Sequence, residues 1–415
     1  MAPKTRPATS FALEASFERV ATHGDAAAPN ALIRGDNLTV LKRLVREAQG
    51  RFRFVYVDPP YNTGRVFKEY KDARRPAEWE AMMRARLSLL PALMSADGTL
   101  VVEIDDTELG ASIVLLDEIF GRENRISIVT VVRSAPTGHK AINRGPVNVT
   151  DYLLVYAKDR KAFRPNAVLR RRPHRDPAYS TVIVDRDAPL STWRFEPLAR
   201  TMARELGFVT RLAAVRSIGA ETFEAKLERW CLEHAERVVR FAQPRYEAVS
   251  IEARALIDRS RAQPNEIFVL ERAAYRPMIL KGGNRLLFLS DKVKTIGDVR
   301  AFVEPLTNVW NDVPFQGLAR EGGVTFSRNK KPERLLARLL ELFTREGDWV
   351  LDPFLGSGTT AAVAHKMGRH WVGIENAPAL VDDLCVPRLS RVVGGLDDTG
   401  LSSDVTRGGG FGVYA

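Results

Sequence analysis

Two rhythms of apolar residues run along this chain. Between 38 and 48 the stretch LTVLKRLVREA spaces its apolar side chains three and four apart, and EWEAMMRARLSLLPALM does the same with Trp79, Met83, Leu87, Leu90 and Met94. That spacing puts them on one face of a helix. Between the two lies FRFVYVD (52–58), a short, mostly apolar run. TLVVEID (99–105), ISIVTVV and YLLVYAK are runs of the same kind, while ELGASIVLLDEIFG has helical spacing and closes at Gly121. Short apolar runs bounded by turn residues read as strands buried on both faces, as in a parallel sheet. Strands that alternate with helices predict βαβ units and an α/β fold with a mainly parallel sheet.

Near residue 160 the rhythm breaks. RPNAVLRRRPHR (164–175) holds five arginines and two prolines and marks a boundary or an exposed basic loop. From about 198 to 262 the pattern is helical, with Phe223, Leu227, Trp230, Cys231, Val238 and Phe241 as one apolar stripe. Ordinary amphipathicity makes that stripe core. Residues 265–300 read as short strands and turns around Gly282-Gly283. The α/β rhythm resumes near 331: KPERLLARLLELF is a helix, WVLD (349–352) a strand, GSGTTAAVAHKMG a loop running into a helix, and WVGIE (371–375) the next strand. These shifts divide the chain into a loosely ordered arm (1–30), a first α/β half (31–160), a mixed, largely helical insert (161–300), a second α/β half (301–395) and a Gly-rich tail (396–415) that orders only where it docks.

Composition narrows the partners. Lys and Arg number 62 against 51 Asp and Glu, a net charge of +11, which favours an anionic partner and nucleic acid first. Two cysteines, Cys231 and Cys385, supply neither a disulfide framework nor a cysteine zinc site, and both read as core residues in a reducing compartment. Six scattered histidines lack paired ligand spacing, so no metal site is expected. No apolar leader and no membrane-spanning run of about 18 apolar residues is found. A cytoplasmic protein without a membrane partner is expected.

Chemistry concentrates where strands end. In LDPFLGSGTTAAVA the glycines lie at a strand-to-helix turn, where backbone can approach a ligand and the helix start offers unpaired N–H groups. Gly356-x-Gly358-x-x-Ala361 meets the dinucleotide spacing, and Glu375, 17 residues beyond Gly358, ends the next strand, where an acid can accept ribose hydroxyls. A nucleoside-bearing ligand suits this loop. A phosphate loop does not, because no lysine follows the glycines. An NAD site is strained, because a dinucleotide fold needs two mononucleotide halves after its first strand. The glycines alone would also suit a packing turn.

The other strand end is VYVDPPYNTG (55–64). Pro59-Pro60 fixes the backbone and removes two donors, so the Asp58 carboxylate, a rigid carbonyl and the Tyr61 ring converge. Two acceptors at fixed separation match the two hydrogens of an exocyclic amino group, and the aromatic face can stack on the ring that bears it. Asp58-Pro59-Pro60-Tyr61 resembles the catalytic motif of S-adenosylmethionine-dependent amino-methyltransferases, and DPFLGSGTT resembles their cofactor loop. The order, catalytic motif first and cofactor loop 294 residues later, resembles the permuted β-class of DNA methyltransferases. GDN (35–37), NTG (62–64), Tyr70, Asp72, Trp79, Arg86-Leu87, GTLVVEIDDTE, LDEIFG, YLLVYAK and a late GGGF are similar to the Mod methyltransferase subunit of type III restriction-modification systems and its orphan relatives. The resemblance covers about 31–160 and 305–380. The chain departs from that family in being short, in reading NKKP (329–332) where QKP is common, and in carrying Thr150-Asp151 where His-Glu is common.

The resemblance implies a Rossmann-like methyltransferase fold, circularly permuted, with the target-recognition region inserted at 161–300. It implies transfer of a methyl group from S-adenosyl-L-methionine to the N6 of an adenine flipped out of double-stranded DNA, with an RNA or cytosine-N4 amino-methyltransferase as the alternative. Asp58 and the Pro59 carbonyl would each accept an amine hydrogen, held by Pro60, with Tyr61 stacking on the base. Asp352, Phe354, Gly356, Ser357, Gly358, Thr359 and Lys331 would line the cofactor pocket, with Glu375 on the ribose and Asp36 on the cofactor adenine. The plain alternatives are a solvated strand end for Glu375 and a helix cap for Asp36, and Tyr70 and Trp79 read as packing residues. Arg170, Arg171, Arg172 and Arg175 would meet DNA or form a solvated basic loop. A homodimer, a helicase or nuclease restriction subunit, and association with the nucleoid through DNA complete the expectation.

Overall fold

The computed structural model describes residues 13, 16–63, 65–66, 71–72, 74–135, 145–272, 275–325, 330–397, 399–401 and 409–415. Ten strands form the main sheet: β1 (Arg19–Gly24), β2 (Asn30–Arg34), β3 (Phe52–Val57), β4 (Met94–Ile104), β5 (Arg125–Val132), β6 (Thr150–Ala157), β7 (Val309–Trp310), β8 (Trp349–Asp352), β9 (His370–Glu375) and β10 (Gly410–Tyr414). Their order is β1-β10-β2-β9-β8-β3-β4-β6-β5-β7. Among the described residues the β1–β10, β4–β6 and β6–β5 pairings are antiparallel, and the other neighbours run parallel. The mostly parallel α/β sheet read from the apolar runs is therefore present.

Both faces of the central strands are covered, which is why those strands are mostly apolar. Val55 and Val57 of β3 pack in one cluster with Val40, Leu41 and Leu44 of α1 (Asn37–Glu47), Trp79, Met83 and Leu87 of α2 (Pro76–Leu87), and Leu115 and Leu116 of α3 (Leu109–Phe120). Phe54 points the other way and stacks on Phe343 of α4 (Glu333–Phe343), with ring centroids 6.0 Å apart. Each such fully buried side chain contributes about 1.5–3 kcal/mol of transfer free energy. From β8 the chain crosses through α5 (Thr359–Lys366) to β9 on one side, and from β3 through α2 to β4 on the other. The switch point lies between β8 and β3, and open α/β sheets bind ligands at the carboxyl ends beside that point.

Two stretches differ from the sequence reading. The arm contributes β1 and the buried Leu13 and Phe17, and the Gly-rich tail contributes β10, paired with β1 on one side and β2 on the other. Glycine suits β10 because a Cβ at Gly410 would lie 2.4 Å from the Asp25 nitrogen. Composition alone read the segment as loose; close backbone approach makes it a strand.

The chain divides into two units, one of residues 1–168 with 307–415 and one of residues 169–306. The second contains a six-stranded antiparallel sheet and a three-stranded one. Its helix Ala220–Glu233 buries Phe223, Leu227, Trp230 and Cys231, but the expected stripe does not continue: Val238 and Phe241 lie on a strand, Val238–Ala242, and Phe241 is exposed. The β-branched pair Val238-Val239 pairs with Val182 and Thr181, so sheet packing overrode the helical spacing.

Candidate active site

Asp58 follows β3, and Asp352 ends β8. Val350 lies opposite Phe54 and Leu351 opposite Val55, so the two acids stand at the same edge of neighbouring parallel strands. Burial pushes the Asp352 carboxyl up to about 7 against bonds from the Thr360 hydroxyl and the Phe354 N–H, and the charge on Asp58 adds to the rise. Segments separated by most of the chain thus share one electrostatic environment.

The loop after β3 is held from several directions. Pro59 is buried, and the Trp79 indole N–H donates to the Pro60 carbonyl at 2.7 Å. Trp79 is the packing residue expected, and it also pins the carbonyl next to the one assigned to the target amine. Asn62, with φ 61°, is the one non-glycine residue of positive φ among those described. Its amide donates to Glu108 at 2.7 Å and accepts from the Arg74 N–H at 2.7 Å, fixing a left-handed turn directly after Tyr61. Tyr70, Gly64 and Asn329 lie outside the described residues, as does the side chain of Asp72.

Lys331 meets this loop. Its ammonium lies 3.1 Å from Asp58 Oδ1, 2.8 Å from Glu103 Oε1 and 4.0 Å from Asp151 Oδ2, and donates to the Tyr61 hydroxyl. The Tyr56 hydroxyl donates to the other oxygen of Glu103, and Arg133 Nε lies 3.1 Å from Asp151. Glu103 and Asp151 are buried. Burial pushes Asp58 up to about 7, with Lys331 pulling it down and Glu103 pushing it further up. Asp151 is pushed up to about 6, again by burial first. Burial alone would lower the Lys331 ammonium, but Asp58, Glu103 and Asp151 together hold it above its ordinary range. The sequence reading grouped Lys331 with the cofactor residues; the fold brings it to the Asp-Pro-Pro-Tyr loop.

On the other side of the switch point, Gly356 (φ 56°) and Gly358 (φ 78°) turn the chain from β8 into α5. Glu375, at the end of β9, accepts from the Gly356, Asn376 and Ala377 N–H groups, each at 2.9 Å. A carboxylate has about four lone-pair sites, so a hydroxyl can still be taken. The Phe354 N–H donates to Asp352 at 2.9 Å, Ser357 Oγ lies 3.3 Å from Thr359 Oγ1, and Phe354 is half-buried at the edge of the core. Asp36 caps α1 through the Thr39 N–H at 3.1 Å and pairs with Arg86 at 2.9 Å. Its neighbour Asn37, to which no role was given, donates to the Pro353 carbonyl at 2.8 Å and ties α1 to the turn.

The residues fit a nucleoside-bearing amino acid such as S-adenosylmethionine. A Cβ at Gly356 would meet nothing nearer than the Phe354 carbonyl oxygen at 3.9 Å, so backbone is open to a ligand there. Asp352 and Glu375, at the ends of adjacent strands, offer carboxylates for an ammonium and for ribose hydroxyls.

Within the 169–306 unit, the four candidate arginines are already engaged. Arg170 pairs with Glu304 at 2.6 Å, and Arg172 lies 3.9 Å from the same carboxylate. Arg171 donates to the Ile296 carbonyl at 3.0 Å and Arg175 to the Tyr179 carbonyl at 3.1 Å. Arg171 alone of the three on its strand is exposed.

Comparison with known proteins adds an independent finding. A family model described as DNA methylase matches residues 52–384. The probable type III restriction-modification enzyme HindVI Mod subunit of Haemophilus influenzae is 30% identical over 94% of this chain and 54% of its own length. The type II methyltransferase M.EcaI of Enterobacter cloacae is 27% identical over 84% of this chain and 67% of its own. The Thermus thermophilus protein TTHA0409, solved in complex with S-adenosyl-L-methionine, aligns at 14% identity and TM-score 0.42 over 92% of this chain and 99% of that one. The chain spans about half the length of the Haemophilus relative.

Proposed function

The chain belongs to the N6/N4 DNA methylase family, and from that premise we propose that it methylates the N6 amino group of an adenine flipped out of double-stranded DNA, using S-adenosyl-L-methionine. The observation that carries the reading is the placement of Asp58 and Asp352 at adjacent carboxyl strand ends on the switch point of the sheet. One end offers acceptors for an amine, and the other the open glycine turn and its two carboxylates.

S-adenosyl-L-methionine, when bound, supplies an electrophilic methyl group. An adenine amino nitrogen is a weak nucleophile because its lone pair is conjugated with the ring. Asp58 and the Pro59 carbonyl, each accepting one N–H, draw the nitrogen toward tetrahedral geometry and free that lone pair. As the nitrogen–carbon bond forms, the methyl group would leave sulfur, which would keep the electron pair of the broken bond as a neutral thioether, and the surplus proton on nitrogen would pass to Asp58 or to water. Extruding the base costs a few kcal/mol, and stacking on Tyr61 offsets about 1–3 kcal/mol of it. The protein's part is positioning and electrostatics.

The test is to incubate the protein with labelled S-adenosyl-L-methionine and duplex DNA, then digest to nucleosides. N6-methyladenine is the expected product. N4-methylcytosine would overturn the choice of base, and label on RNA alone would overturn the substrate. The same reading assigns target recognition to the 169–306 unit and a restriction subunit as a partner, the latter supported by the likeness to a Mod subunit.

Two further results are expected. If Asp352 holds the cofactor's ammonium, it must be ionised. Its carboxyl is pushed up to about 7, so affinity for S-adenosyl-L-methionine, read by calorimetry, should hold above pH 7 and fall as pH drops below it, by at most tenfold per unit. Asp352→Asn should flatten that dependence. Arg171→Ala should lower DNA affinity and reduce the slope of log K against log salt by about 0.9 if it neutralises one phosphate, whereas an unchanged slope would remove Arg171 from the interface.

A further inference from the structure

We propose that Lys331, clamped by the buried acids Glu103 and Asp151, is a positioning residue that holds Asp58 ionised and turned toward the target amine. The inference rests on the methyl-transfer reading above. It starts from an imbalance: Asp58, Glu103 and Asp151 converge within 4.0 Å of a single ammonium. Three carboxylates at close quarters do not all ionise unless cations are held among them. Lys331 is the cation they share, and Arg133 supports Asp151 from the far side.

The arrangement also fixes direction. Glu103 is fully buried and is itself held by the Tyr56 hydroxyl, so it anchors the ammonium from one side. Lys331 binds Oδ1 of Asp58 and the Tyr61 hydroxyl bonds the same carboxylate, so these contacts fix its orientation while a lone pair remains for an amine hydrogen. The bond from Lys331 to the Tyr61 hydroxyl, with the ammonium 4.8 Å from the ring centroid, fixes the stacking face by the same contact. One side chain thus orients both the acceptor and the platform.

An alternative is that the ammonium occupies the place of the target amine and must leave when a base arrives. The burial of its partners argues against this. Expelling Lys331 would take from the buried Glu103 the cation it bonds and leave Asp151 with Arg133, and a buried charge that loses its partner is strongly destabilising. Among the described residues, the groups facing Asp58 are Lys331, Tyr61, Glu103 on β4, Tyr56 on β3 and Asp352 on β8, with Asp151 on β6 sharing Lys331. All but Lys331 are acids or phenols, so removing the lysine shifts the balance in one direction.

The test compares Lys331→Gln, Lys331→Arg and Glu103→Gln in the full chain. For the wild type, kcat/KM for methyl transfer should fall on the acid side, as Asp58 takes up a proton. Lys331→Gln removes the cation, so the acid limb should move up by about one pH unit or more and kcat/KM at about pH 7.5 should drop about threefold or more. Lys331→Arg should recover much of both. Glu103→Gln removes a like charge, so its limb should move the opposite way, to lower pH. Equilibrium binding of S-adenosyl-L-methionine should stay within about threefold of wild type in all three. A Lys331→Gln profile with an unmoved acid limb, or a selective loss of cofactor binding, overturns the proposal. If the wild type itself transfers no methyl group to DNA, the functional reading has failed instead. Should Lys331→Gln not fold, Glu103→Gln decides the matter: an acid limb moved to lower pH beside a near-wild-type Lys331→Arg profile supports the proposal, and an unmoved limb overturns it.

Discussion

Asp58→Ala is expected to reduce methyl transfer to DNA by about a thousandfold or more, equivalent to about 4 kcal/mol of transition-state stabilisation, while S-adenosyl-L-methionine affinity stays within a few fold. Removing one preorganised polar contact from a developing charge typically costs about 10²–10³ in rate. Here the carboxylate has a second task, because it takes part in turning the nitrogen lone pair out of conjugation. Asp58→Asn keeps an acceptor oxygen and loses the charge, so it should fall between Ala and wild type. Single-turnover rates on duplex DNA would separate the variants, and an alanine variant retaining a tenth of the activity would remove Asp58 from the chemistry.

The second large effect concerns stability. Beneath the glycine turn lies a buried ionic cluster: Glu333 bonds Arg388 at 2.8 Å through one oxygen and Lys366 at 2.8 Å through the other, and Lys366 also pairs with Asp397 at 2.8 Å. Glu333 and Arg388 are fully buried. Glu333→Ala therefore leaves a guanidinium uncompensated in the interior and should destabilise the protein by about 3–5 kcal/mol. The consequence reaches the cofactor loop, because Arg388 also donates to the Ser357 carbonyl at 3.2 Å and to Thr359 Oγ1 at 2.7 Å. Denaturant unfolding should show the loss, and ligand affinity should fall at temperatures where the variant is still folded. A variant that unfolds at the wild-type midpoint would show that the cluster is compensated by other contacts.

How much of this was legible follows from where the information sits. Asp58, Asp352 and Glu375 could be found because an apolar run ending in an acid and a proline or glycine is local, and the physics that makes it a strand end is local too. Lys331 was seen only as part of a short motif, because its partners Asp58, Glu103 and Asp151 lie far away in sequence and only the sheet order brings them together. Arg388 and Glu333 drew no reading, since the sequence does not reveal that their faces turn inward. Asn37 and Asn62 appeared within motifs, but their tasks are bonds to backbone that only tertiary structure defines. Strands β1 and β10 were missed because short Gly-bearing segments become strands when neighbours supply the ladder.

The pairing of β3 with β8 has a consequence for biosynthesis. After β3 leaves the ribosome, its open edge waits for a partner encoded almost 300 residues later, a delay of about 15–60 s at translation speeds of about 5–20 residues per second. Throughout that interval an apolar parallel edge stands exposed in the nascent chain, with high contact order slowing its capture. Expression at reduced temperature with abundant trigger-type chaperones should therefore raise the soluble yield of this polypeptide more than it does for proteins whose central strands are made consecutively.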